Sequence, residues 1–117
     1  MSTPTGLDDP EDAKLVTLSR ATRQRTGSPD GAAVRDLDGR TYTAATVDLP
    51  SLRLSALALA VAMAASSGAK GLEAAAVVTE RGEPSPDEVG PVRDLAGAGV
   101  PVFVADPAGS LSRVVRT

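Results

Sequence analysis

The apolar positions fall in short blocks separated by turn residues. Residues 1–10 have no apolar spacing and read as a disordered acidic N-terminus, followed by one domain over 11–117. Leu15, Val16 and Leu18 then share one side of a helical pattern that runs to about Arg25, with Asp9 or Asp12 placed to cap it. TGSPD at 26–30 is a turn, GAAVR at 31–35 is short and apolar, and DLDG at 36–39 is a hairpin turn signal. With RTYTAATV at 40–47, these predict a β-hairpin. A long run, LRLSALALAVAMAASS at 52–67, predicts a helix apolar all round, with Ser51 as its cap and Gly68 closing it. LEAAAVVT at 72–79 is apolar nearly throughout, as in a strand buried on both faces. A loop at 81–86 leads into a helix over 87–98, where Ser85 and Glu88 have the spacing of a capping box and Pro91 either lies in the first turn or kinks the helix. VPVFVA at 100–105 is a fourth strand, DPAG at 106–109 a turn, and 112–115 an edge strand. The order α-ββ-α-β-α-β-(β) predicts an α/β fold: a mixed sheet of 4–5 strands with helices on its faces.

Composition narrows the core and the chemistry. Hydrophobic residues make up 42% of the 117, but Tyr42 and Phe103 are the only aromatics, so the core must be built from Ala, Val and Leu. Such a core buries little area per residue, which favours a homo-oligomer. The net charge is −3, the basic residues are scattered, and stacking aromatics are missing, which argues against nucleic-acid binding. The uncharged run from Leu54 to Ala69 is about sixteen residues and rich in Ala, short of the ~20 apolar residues of a membrane span. The N-terminus lacks a basic segment followed by an apolar one, so no secretory signal is expected and the location expected is cytoplasmic.

The chain has no Cys and no His. Zinc sites use thiolate or imidazole almost without exception, and His is the commonest general acid–base. Serine–histidine, cysteine–histidine and metal-hydroxide mechanisms are thereby excluded for this chain alone, though a carboxylate-bound magnesium is not. Three local candidates remain. Gly68-Ala69-Lys70-Gly71 lacks the spacing of a phosphate loop and reads as a helix-closing turn. Asp87 and Glu88 suit the dipole of a helix start. Ser55 has no Lys or His near it in sequence and reads as a buried serine bonded to the carbonyl of the preceding turn.

The order of segments meets a known family. GAAVRDLDGRTYTAATVD, residues 31–48, resembles without a gap the cytidine deaminase hairpin, roughly GAAL…DG.IY.G.NVE. LRLSALALAV is similar to the helix that follows it in that family, L-T-V-C-A-E-R-T-A-I. EAAAVVTERGEPSP resembles the next strand and the loop that ends in S-P-C-G-x-C, and VPVFVADPAG resembles the fourth strand and its turn. The resemblance covers residues 12–112 and implies a three-layer α/β/α sandwich that assembles as a dimer or tetramer.

The family's chemistry does not carry over. It binds zinc through one Cys or His and a Cys pair, and a Glu two residues after the first ligand shuttles protons. The first ligand position falls on Ser55 and the glutamate position on Leu57. The first cysteine of the pair falls on Asp87, and the second on Gly90 or Pro91. The resemblance therefore implies no catalytic residue, no zinc and no deaminase activity. The N-V-E segment, a nucleoside-sugar contact in the family, falls on Thr46-Val47-Asp48. Thr46 and Asp48 are the residues left to contact a nucleoside, with Asp48 alternatively capping the helix after Ser51. Two residues are missing before Ser55 relative to the family. Packing and helix capping are expected to replace the metal as the local staple. The functions left are a pseudoenzyme with a structural, regulatory or partner-binding role, a hydrolase of altered mechanism, or a nucleoside sensor.

Overall fold

The computed structural model describes residues 6–117. The first half of the segment expected to be disordered, residues 1–5, lies outside these. Helix α1 (Pro10–Thr26) already begins at Pro10. Asp9 is the cap: its carboxylate accepts from Glu11 N–H at 2.8 Å, and Pro10 occupies the first helical position, where no donor is needed. Gly27, at φ 68°, ends the helix in the left-handed region.

Strands β1 (Gly31–Asp36) and β2 (Thr41–Ala45) form the expected hairpin, antiparallel from Gly31↔Ala45 to Arg35↔Thr41. Its loop is held by Asp36, whose carboxylate accepts from the N–H groups of Asp38 and Arg40 and from the Tyr42 hydroxyl, each at 2.9 Å. Burial pushes the Asp36 carboxyl up, but the Tyr42 hydroxyl and the two N–H donors outweigh it, and its pKa lies below the ordinary value. A lowered native pKa contributes stability above the unfolded value, near about pH 4, and that contribution is lost as pH falls through the native value. The urea midpoint of the native chain is therefore expected to fall more steeply below about pH 5 than that of Asp36→Asn. Parallel acid profiles for the two would remove this role.

A small second sheet follows. Strands β3 (Val47–Leu49) and β4 (Leu52–Leu54) pair antiparallel around Pro50-Ser51. The long apolar run thus does not enter its helix at Leu52, and Ser51 is not the cap. Leu52, Arg53 and Leu54 alternate with strand period and pair with the equally alternating Val47, Asp48 and Leu49. Helix α2 (Ala56–Ser66) starts four residues later, behind Ser55. Gly68, at φ 92°, lets the N–H groups of Gly68 and Ala69 reach the carbonyls of Ala65 and Ala64, as expected of a closing glycine.

Strand β5 (Leu72–Val78), helix α3 (Pro86–Ala96), strand β6 (Pro101–Ala105) and strand β7 (Leu111–Arg116) complete the chain. The main sheet runs β2-β1-β5-β6-β7, with β5 and β6 parallel and every other pair antiparallel. This is the mixed α/β sheet expected, with all five strands formed. Helix α1 covers one face with Leu15 and Val16 against Ala33, Ala74, Ala76, Val78 and Phe103. Helices α2 and α3 cover the other, with Leu57, Ala60, Val61 and Val92 against Val34, Ala75, Val77 and Val102. Strand β5 contributes to both clusters, so it is buried on both faces as its sequence indicates. Phe103 is the one aromatic in the buried core, which is otherwise Ala, Val and Leu. Pro91 lies inside α3 rather than in its first turn. Among the described residues, no helix is long and apolar enough to cross a membrane.

Candidate functional site

One end of the sheet gathers the polar side chains. Gly31 pairs with Ala45 and with Val78, so Asp30, Thr46 and Thr79 emerge together just beyond the paired residues. Helices α2 and α3 begin at this end through Ser55 and Ser85. Thr79 closes β5, and its N–H donates to the Ala105 carbonyl at 3.0 Å, so the end lies at the carboxyl ends of the two parallel strands. Open α/β sheets bind ligands in the crevice beyond such ends. Here Arg23, Pro29, Asp30, Thr46, Ser55 and Thr79, with Glu80, Arg81 and Glu88, line a cavity of about 260 Å³.

Arg81 organises the cavity. Its backbone N–H and Nε each donate to Thr79 Oγ1 at 3.2 Å. Its Nη2 donates to Asp30 Oδ2 and to Glu88 Oε1, the latter at 2.8 Å. The two carboxylate side chains are only 10% and 8% exposed, whereas the Arg81 side chain is 45% exposed. Burial acts to lower the Arg81 pKa, but hydrogen bonding and charge from Asp30, with the Glu88 charge behind them, hold it above its ordinary value. Glu88 Oε2 is buried without a hydrogen-bond partner. Asp30 is fixed from the other side, where its N–H donates to Thr46 Oγ1 at 3.2 Å.

The residues singled out from the sequence are placed as follows. Ser55 lines the cavity, but its hydroxyl caps α2, accepting from Ala58 N–H at 3.1 Å. It is therefore not bonded back to a preceding carbonyl, because it precedes the first helical turn instead of standing inside the helix. Leu57 faces the core and is fully buried. Thr46 lines the cavity and also an adjoining open hollow of about 560 Å³ shared with Asp48, Arg53 and Ser55. Asp48 caps no helix: it lies exposed on β3 and pairs with Arg53 across the small hairpin at 3.2 Å. Asp87 is exposed and does not line the cavity. Its neighbour Glu88 does, and the capping box with Ser85 does not form, because the Glu88 carboxylate turns to Arg81 and Ser85 makes no side-chain cap bond. Among the described residues, no cluster of three or more His, Cys, Asp or Glu is placed to hold a metal ion.

Sequence reasoning missed Arg81 and Asp30, and it assigned Glu88 to a cap. Arg81 reaches partners 51 and 7 residues away, separations that no local motif encodes.

A three-layer α/β/α sandwich with a polar cavity between strand ends and two helix starts defines the structural class. Within that class the chain belongs to the cytidine deaminase-like family, whose model matches residues 8–109. Among solved structures, the chain is similar to the cytidine deaminase from Burkholderia pseudomallei, at 23% identity over 88% of this chain and 90% of that one, with a TM-score of 0.77. The cytidine deaminase from Mycobacterium leprae is similar at 22% identity over the same shares, with a TM-score of 0.69. That from Mycobacterium tuberculosis is similar at 24% identity over 74% of this chain and 81% of that one, with a TM-score of 0.61. No curated protein sequence matches the chain.

Proposed function

We propose that this chain is a catalytically inactive member of its family, a zinc-free pseudoenzyme whose fold is kept for a structural, regulatory or partner-binding role. One observation carries the reading: Leu57, which stands at the family's proton-shuttle position, is fully buried core. Leucine moves no proton. The donor set argues the same way for the metal. Ser55 offers a hydroxyl already used in capping, Asp87 is exposed outside the cavity, and Gly90 and Pro91 offer no side-chain donor. A guanidinium cation, Arg81, stands in the same cavity as Ser55 and opposes a second cation there. These residues do not fit zinc. The test is turnover of cytidine by the purified chain with zinc supplied, and the reading expects none.

A second reading, a nucleoside sensor, draws on the cavity and adjoining hollow that share Thr46 and Ser55. A nucleoside that bound only the folded chain would raise its melting temperature. A shift with one member of a nucleoside panel, lost in Thr46→Val, would favour the sensor over the partner-binding role. We place the protein in the cytoplasm as a homo-oligomer, a dimer or tetramer. Leu49, Leu52 and Met63 are exposed, and α2 carries no charge to oppose association.

A further inference from the structure

Two carboxylates, each at least nine-tenths buried, face one cavity, and among the described residues no metal-binding cluster accounts for them. Buried carboxylates require a compensating charge and hydrogen-bond donors. Asp30 stands just before β1, and Glu88 stands in the first turn of α3. Arg81, from the loop between β5 and α3, bridges both and is itself aimed by two bonds to Thr79. One oxygen, Glu88 Oε2, remains without a donor, so the pair offers more acceptors than the guanidinium fills.

We propose that Asp30 and Glu88 form a built site for a planar organic cation, which the chain fills with its own Arg81 guanidinium, and that this cross-link is the staple tying the start of β1 to the start of α3. The site favours an amidinium or guanidinium over an ammonium because Nη2 donates to both carboxylates while Nε, in the same rigid plane, donates to Thr79 Oγ1. An ammonium can reach both carboxylates from its single nitrogen but has no second nitrogen for Thr79. This goes beyond the loss of catalysis and does not depend on whether a nucleoside binds.

Chemical rescue tests it. Arg81→Ala leaves both carboxylates buried and unpaired, and its melting temperature is expected to fall by on the order of 10 °C. Methylguanidinium at about 10 mM should then recover a large part of the loss in a saturable way, as a ligand bound only by the folded state does. Equal concentrations of methylammonium, tetramethylammonium or sodium chloride should recover little, and the native chain should not respond to methylguanidinium. Arg81→Lys, the milder variant, should melt below the native chain and above Arg81→Ala. An Arg81→Ala chain that melts like the native one overturns the proposal. So does recovery by methylammonium equal to that by methylguanidinium. If Arg81→Ala does not fold, Arg81→Lys decides alone: a melting temperature equal to the native value overturns the staple, and a lowered one supports it.

Discussion

Adding one methyl group at Gly31 is expected to cost the protein a large part of its stability. A Cβ built on Gly31 would lie 2.1 Å from the Ser19 carbonyl oxygen and 2.8 Å from Arg23 N, both backbone atoms of α1. No side-chain rotation relieves such a contact, so α1 must lift away from β1. The helix packs its Leu15 and Val16 against the small residues Ala33, Ala74 and Ala76, and those contacts loosen together. Ordinary overpacking costs about 1–3 kcal/mol, and a backbone clash belongs at or above the top of that range. Gly31→Ala is therefore expected to lower stability by at least about 3 kcal/mol, read from urea unfolding. Gly90 is the control. It lies inside α3 with nothing within 4 Å of a built Cβ and no positive φ. Gly90→Ala should stay within about 1 kcal/mol of the native chain, since the helix preference of Ala is opposed by the Pro91 ring beside its Cβ. A Gly31→Ala chain that unfolds at the native midpoint would rule out close packing of α1 on β1.

Placing a glutamate at position 57 is expected to be still more damaging. Leu57 is fully buried, in the apolar cluster that also holds Val34, Ala60, Ala75 and Val77. A carboxylate there has neither solvent nor a partner, and an uncompensated buried charge costs several kcal/mol out of a total stability of about 5–15 kcal/mol. Leu57→Glu should be largely unfolded near neutral pH. The sign of its pH dependence follows from the burial. A carboxyl raised by desolvation is penalised only when ionised, so the variant should regain stability as pH falls through its native pKa. Leu57→Ala separates charge from cavity, with an expected loss of about 2–5 kcal/mol and little dependence on pH. A Leu57→Glu chain that melts like the native one at neutral pH would show that position 57 faces an open site and not the core.

Most of the fold was legible because its signals are local. Asp9 as one of two candidate caps, the Asp36–Gly39 turn, Gly68, and the continuous apolar strand at 72–78 each announce an element within a few residues, whereas the helix start at Pro10 lies inside the stretch read as disordered. The small β3–β4 hairpin was not legible. The three residues Leu52, Arg53 and Leu54 read equally as the first turn of a helix, and only pairing with 47–49 turns them into a strand. Ser51 and Ser55 are both acceptable caps by type, and the hairpin decides for Ser55.

The site was legible only in its losses. Ser55, Leu57 and Asp87 fall where the resemblance to the family implies a zinc ligand or the glutamate. What stands in their place was not visible. Glu88 has good capping-box spacing from Ser85, yet its carboxylate goes to Arg81, because compensating the charge of a buried carboxylate outweighs capping one backbone N–H. Packing and capping were expected to replace the metal as the staple. Ser55 does cap α2, but the bridge across the cavity is ionic.

The most direct measurement is ammonia release from cytidine by the chain purified free of host deaminase, with zinc supplied in excess and the metal content of the recovered protein determined. A zinc-free pseudoenzyme gives no turnover above the uncatalysed rate and less than stoichiometric zinc. Turnover that follows zinc occupancy and disappears with a chelator would contradict it.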